Sequence, residues 1–304
     1  MTRRVVISGA SGLIGTALTR ALRADGVEVT TLVRREARTA NEVSWAPGER
    51  PLDPLHLEGA DAVVALGGAS VGRMPWTARY RRELVDSRIA PTRAIAHAIR
   101  QLGEGAPALL SASAVGYYGS VPGAVLTETS PAGDTFLARL CVEWEEAALR
   151  AGPHSRVALL RTAPVIHRQG VLKPLIALTG LGVGGPIGRG TQVWPWVSLS
   201  DEVRAIRHVL ESDISGPVNL CGPTPATATD TGRALARAMR RPFWLPAPEW
   251  ALRWALSPDA TESLLTADAD VRPEVLQQTG FEFTHETVEA AIAAALAGNR
   301  PENA

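Results

Sequence analysis

The 304-residue sequence predicts an α/β fold, a doubly wound parallel sheet of the Rossmann type with a smaller, mainly helical C-terminal lobe. Three observations carry this. Short apolar runs alternate with segments of helical spacing through the first two thirds of the chain, a pattern that builds a parallel sheet covered on both faces. A glycine-rich turn sits between the first such run and the first helix. Beyond Gly222-Pro223 the strand-like runs stop and helical spacing dominates.

The elements follow in order. Val5 to Ser8 is a compact apolar run, Ile14 to Ala24 repeats apolar residues at helical spacing and stops at Asp25-Gly26, and Val27 to Val33 is rich in β-branched residues. Together they make a βαβ unit. Further strand-like runs lie at Ala62 to Leu66, Ala108 to Ser111, Val157 to Leu160 and Val218 to Leu220. Helical stretches separate them at Thr77 to Gln101, which Pro91 is expected to kink or divide, Phe136 to Ala151 and Asp201 to Glu211. Gly170 to Trp196, rich in glycine and proline, reads as an excursion from the sheet. Thr231 to Arg240, Pro248 to Leu256 and Thr287 to Leu296 read as helices of the second lobe. The expected division is residues 1–167, rejoined by 197–222, as the dinucleotide-binding domain, and 168–196 with 223–304 as the substrate lobe and small C-terminal domain.

Composition narrows the partners. Basic and acidic residues balance at 31 each, so no net field draws the surface to nucleic acid or an anionic membrane, and a small-molecule substrate is expected. No run approaches the ~18 apolar residues of a membrane span. Thr2-Arg3-Arg4 leads straight into Val5-Val6-Ile7 without a signal-type apolar segment, which with two isolated cysteines, Cys141 and Cys221, predicts a buried-thiol, cytoplasmic protein. The six histidines show no metal-ligand spacing, so no metal is expected. Of the 31 basic residues one, Lys173, is lysine and the rest are arginine, so any chemistry that needs a lysine has a single candidate.

Gly9-Ala10-Ser11-Gly12-Leu13-Ile14-Gly15 stands where a strand turns into a helix. There glycines permit a tight turn and close approach of backbone to a pyrophosphate, and the helix N-terminus supplies amide donors and partial positive charge. The motif predicts dinucleotide binding through Gly9, Ser11, Gly12, Leu13, Ile14 and Gly15; a turn that only packs helix on sheet, or a site for another nucleotide-like ligand, are the alternatives. The end of the second strand separates NAD from NADP. An NAD site places an acidic residue there, whereas this chain has Arg34-Arg35, whose guanidinium groups suit a 2′-phosphate. NADP(H) is the expected cofactor, although two solvated arginines would look the same and Glu36 lies beside them.

The glycine motif, Val33-Arg34-Arg35, Ala65-Leu66-Gly67-Gly68 and Ser111 through Gly119 together resemble the atypical extended short-chain dehydrogenase/reductases of the YfcH-like, epimerase-labelled group. Gly182 to Gly190, Trp194-Pro195-Trp196-Val197 with Asp201, Gly216 to Asn219, Arg241-Pro242, Arg272-Pro273 and Leu276 to Phe281 extend the resemblance through that group's small C-terminal domain. The resemblance implies that Leu66 and Gly67 line the cofactor, that Glu83 and Arg88 lie near it, and that Ser113 matches the serine that holds the reacting carbonyl or hydroxyl. A homodimer is compatible with it.

The chain departs from the wider superfamily at the catalytic pair. Tyr-x-x-x-Lys cannot be formed: Tyr80, Tyr117 and Tyr118 are followed four residues later by Leu84, Val121 and Pro122. In the helix that should carry the pair, Leu137 and Cys141 stand near its positions. Two functions stay open: an NADP(H)-dependent oxidoreductase or sugar-nucleotide epimerase using Ser113 with Tyr117 or Tyr118, or a group such as Asp201, as proton donor; or a catalytically inactive NADP(H)-binding sensor.

Overall fold

The computed structural model describes residues 3–250 and 257–297. Seven parallel strands form the central sheet: β1 (Arg4–Ser8), β2 (Glu28–Val33), β3 (Glu42–Ser44), β4 (Ala62–Ala65), β5 (Ala108–Ala114), β7 (Val157–Thr162) and β10 (Gly216–Leu220). Their spatial order is β10-β7-β5-β4-β1-β2-β3. The chain leaves β1 in one direction through β2 and β3 and returns to continue in the other through β4, so the crevice where the order reverses opens at the carboxyl ends of β1 and β4.

Burial on both faces explains the uninterrupted apolar strands. Along β1, Val5 and Ile7 point to one core cluster and Val6 to the other, and all three are fully buried. The first cluster joins the sheet to α1 (Leu13–Ala24) through Leu18 and Leu22 and to α5 (Leu199–Glu211) through Val203, Ile206 and Val209. The second joins it to α2 (Ala78–Gln101) through Ile95, Ala96 and Ile99 and to α3 (Phe136–Leu149) through Ala148. A side chain such as Ile95, with no exposed surface, contributes about 1.5–3 kcal/mol by leaving water.

Two expectations, on Pro91 and on the length of β5, need correction. Pro91 does not divide α2, which is one helix of 24 residues; burial of Ile89, Thr92, Ile95, Ala96 and Ile99 along it outweighs one missing amide donor. The excursion after Gly170 contains α4 (Leu172–Gly180), which packs on α6 (Ala228–Ala238) and α9 (Val288–Ala297) through Leu172, Leu235 and Ile292. Strand β5 runs three residues beyond Ser111, so Ser111 lies mid-strand and Ser113 close to its end. The edge strand β3 and the short pairs β6 (Val125–Leu126) with β11 (Asp270–Val271) and β8 (Val165–Ile166) with β9 (Val197–Ser198) carry too few residues for a sequence pattern. Two further short helices, α7 (Pro258–Thr261) and α8 (Glu274–Gln278), complete the described chain, and most of the helix expected over Pro248 to Leu256 lies outside it.

Candidate active site at the sheet's switch point

Four of the longer helices begin under a side-chain hydroxyl: Thr77 caps α2, Thr135 caps α3, Ser198 caps α5 and Thr227 caps α6 in a capping box with Asp230. Helix α1 is different. Its N-cap is Gly12, with no side-chain cap and no acidic residue in the first turn, so its leading amides are left for a ligand at the crevice. The glycine motif tolerates only glycine at two points, one in the turn and one in the first turn of α1. Gly9 has φ +79° and any Cβ there would stand 2.7 Å from the Leu66 carbonyl carbon; a Cβ on Gly15 would stand 2.2 Å from the Gly9 oxygen. Leu66 and Gly67 therefore press directly on the turn. Beneath them the buried Ser8 hydroxyl has no partner among the described residues. An uncapped helix start, a glycine cradle and an orphaned buried hydroxyl fit a dinucleotide pyrophosphate.

The two arginines at the end of β2 separate. Arg35 is tied to Glu42 of β3 by paired hydrogen bonds of 2.6 and 2.9 Å, which with the Arg38 amide hold the Glu42 carboxyl down at about 2. Arg34 is exposed and makes no ion pair among the described residues, leaving its guanidinium available. Arg88 of α2 lies over Gly68, donating to the Leu84 and Ala69 carbonyls and facing the Trp144 ring at 5.2 Å. Glu83, one turn earlier, is exposed and no contact joins it to this crevice.

Ser113 sits opposite Arg161 in the β5–β7 register, and α3 lays Glu145 across both. The Ser113 hydroxyl donates to Glu145 Oε1 at 2.6 Å, and Arg161 grips the same carboxylate with Nε at 2.8 Å and Nη2 at 2.9 Å. Arg161 also donates to the Tyr118 hydroxyl at 2.9 Å, and Tyr118 donates onward to Asn219 Oδ1 at 2.7 Å. Asn219 in turn donates its amide to Glu128, which also takes the Val275 amide. All of these side chains are buried. Tyr118, expected as a proton donor, is instead a fully buried link whose hydroxyl is pushed up to about 12, chiefly by burial. The Tyr117 ring lies face-on over Arg161, 3.5 Å from the guanidinium carbon to the ring centre. It is half-buried, and its hydroxyl has no partner among the described residues.

Where the helical tyrosine and lysine would stand, Leu137 and Cys141 are buried, and burial, followed by the neighbouring Glu145, pushes the Cys141 thiol up to about 12. Lys173 is exposed on α4. Asp201 is buried on α5; burial works against its charge, but the Thr284 and His285 amides and the Ser198 hydroxyl hold its pKa below the ordinary value. The sequence reading missed Glu145, Arg161 and Glu202. Glu145 follows Leu137 and Cys141 at four-residue steps, an acid on an apolar helix face, and Arg161 is a charge in an apolar strand; both are legible signals. Glu202, fully buried beside Thr162 at the end of β7, accepts the threonine hydroxyl at 2.8 Å, and burial raises its pKa to about 8.

The glycine-rich excursion meets the same edge of the sheet. Gly170 faces the Leu13 side chain at the start of α1. Asp268 binds the Val193 amide and Arg189 of the excursion, while its own backbone pairs with Ser120 and Val121 just beyond Tyr118. Trp196 is core, packed on Gly222.

This strand order, with an uncapped helix behind a glycine turn at the switch point, defines a Rossmann-type protein of the extended short-chain dehydrogenase class. The chain belongs to the NAD dependent epimerase/dehydratase family, whose model matches residues 5–221, and a domain of unknown function, DUF1731, matches residues 247–295. It is 40% identical to the epimerase family protein Mb2239 of Mycobacterium bovis over 291 residues, 95% of this chain and 96% of the relative. Among solved structures it is similar to the human epimerase family protein SDR39U1 (isoform 2) with NADPH, with a TM-score of 0.86 at 29% identity, covering 97% of this chain and 99% of that one. A nucleoside-diphosphate sugar epimerase from Corynebacterium glutamicum superimposes with a TM-score of 0.79 at 30% identity over 97% of this chain and 58% of its own.

Proposed function

We propose that this protein binds NADP(H) at the β1–β4 crevice and acts as an oxidoreductase or epimerase on a small carbonyl or sugar-nucleotide substrate. The observation that carries the cofactor assignment is the uncapped α1 turn with the free Arg34 at the end of β2. The α1 amides and Gly12 receive the pyrophosphate, Ser11, Leu13 and Ile14 flank it, Leu66 and Gly67 border the adenosine side, and Arg34 meets the 2′-phosphate. The human relative bound to NADPH supports this reading. When bound, the dinucleotide supplies or accepts a hydride.

The rest falls to this chain's own groups. Tyr80 and Tyr118 spend their hydroxyls on Ser70 and Asn219, so Tyr117 is the phenol left to exchange a proton with substrate. Ser113 acts by position: its proton is committed to Glu145, so toward substrate its oxygen can only accept. The excursion 168–196 and the chain from 223 onward form the lobe that closes over substrate.

A second reading rests on the Ser113–Glu145 bond and the Leu137 and Cys141 replacements: a protein that holds NADP(H) without turning it over, as a sensor. One experiment separates the two. NADPH and NADH binding are titrated by fluorescence, and NADPH oxidation is followed against aldehydes, ketones and 4-keto sugar nucleotides with wild type and Tyr117→Phe. The enzyme reading expects turnover that falls about 10²- to 10⁴-fold in the variant, the range of an acid–base contribution. Tight NADPH binding with no turnover across the panel selects the sensor.

A further inference from the structure

The carboxyl ends of the strands do not hold the only concentration of unbalanced charge. An open groove of ≈ 290 Å³ between the second half of α2 and the end of α3 is lined by Arg93, His97, Arg100 and Arg150. The first three fall at i, i+4 and i+7 on α2 and so share one face, and Arg150 is the C-cap of α3. On this chain of zero net charge, eight other arginines among the described residues, Arg35, Arg81, Arg161 and Arg272 included, sit against carboxylates. The side chains of the four groove residues have no ion pair or hydrogen bond among the described residues. Three guanidinium groups around one concavity, with no carboxylate against them among the described residues, suit an anion.

The groove is also partly built. Gly152, with φ +92°, brings the α3–β7 loop so close that a Cβ there would stand 3.4 Å from the Arg100 Cγ, which lays the arginine stem against backbone. It is separate from the dinucleotide crevice. Arg88 marks where α2 passes Gly68, and Arg100 lies twelve residues further along, about 18 Å down the helix axis toward the amino ends of the strands.

We propose that this groove is a second anion site that takes a small phosphate-bearing molecule. Guanidinium forks match phosphate oxygens in pairs, and the volume admits a pyrophosphate or a compact phosphate ester rather than a second dinucleotide.

The test is an NMR titration of the isotopically labelled full chain with inorganic pyrophosphate at constant ionic strength, following the Arg93, Arg100 and Arg150 Nε–H signals and the His97 ring. Because the signals are residue-resolved, binding at the glycine turn reads out separately. Saturable shifts at these four residues, weakened at least about tenfold in Arg93→Ser/Arg100→Ser, are expected; a tenfold loss is what one charge-assisted contact contributes. Both positions are exposed, and Arg150→Ser serves as a second variant should the double one fail to fold. Shifts that grow without saturation, or that survive both variants, overturn the proposal. So does sedimentation showing that the groove is covered by a second copy of the chain whose assembly the substitutions break.

Discussion

The Ser113 hydroxyl and the Glu145 carboxylate are joined by a 2.6 Å hydrogen bond inside a buried network in which Arg161 holds the other edge of the same carboxylate. Ser113, which the family resemblance matches to the substrate-holding serine, stands at the end of a structural chain running through Arg161 and Tyr118 to Asn219.

Removing Glu145 strands a buried guanidinium. Glu145→Ala should destabilise the protein by about 3–5 kcal/mol, as expected when one partner of a buried pair is lost. Urea unfolding of the variant against wild type measures it, and a shift under 1 kcal/mol would show that water replaces the carboxylate.

The two adjacent tyrosines should part company. Tyr118→Phe leaves Arg161 and Asn219 each short of a buried partner and should cost about 1–3 kcal/mol. Tyr117→Phe should leave the unfolding midpoint within about 0.5 kcal/mol of wild type, since it deletes a hydroxyl without an internal partner, and should act on turnover alone.

Arg34 and Arg35 make a similar contrast. Arg34→Glu should weaken NADPH binding at least about tenfold while sparing NADH, the loss of a charge-assisted bond to the 2′-phosphate. Arg35→Ala frees Glu42 and loosens the β2–β3 edge, so it should affect the two cofactors alike. Equal NADPH and NADH affinities in wild type would sink the assignment.

Glu202 predicts a pH dependence. Its folded pKa of about 8 lies above the ordinary value of 4.5, so the folded state holds the proton more tightly than the unfolded state does. Its contribution is complete below pH 4.5 and is lost as pH rises through 8, by on the order of a few kcal/mol. Glu202→Gln, which keeps a hydrogen-bond acceptor for Thr162 and cannot ionise, should flatten stability across that window. Parallel profiles for variant and wild type would contradict it.

Gly15→Ala should abolish cofactor binding and lower stability, because its Cβ would meet the Gly9 oxygen at 2.2 Å. Gly26→Ala, where a Cβ meets nothing but φ is +77°, should cost only backbone strain and leave binding intact. Thermal unfolding and NADPH titration of the pair distinguish the two effects.

What the sequence determined by itself was local. Apolar runs of three to seven residues, helical spacing and a glycine turn between them set the strand–helix alternation, and the place of that turn after β1 sets the crevice. Counting tyrosines and the one lysine was enough to remove the usual catalytic pair. The tertiary structure decided everything that depends on partners far apart in the chain. Ser113 meets Glu145 across 32 residues, and Tyr118 meets Asn219 across 101. Such contacts depend on strand register and helix placement, which no local pattern encodes. The same holds for Arg34 and Arg35, indistinguishable neighbours until β3 brings Glu42 to one of them. It holds too for the basic groove, where Arg150 joins the α2 arginines only because α3 packs beside α2. Periodicity records which side of an element is buried, whereas the identity of the group waiting there is fixed only when the elements meet.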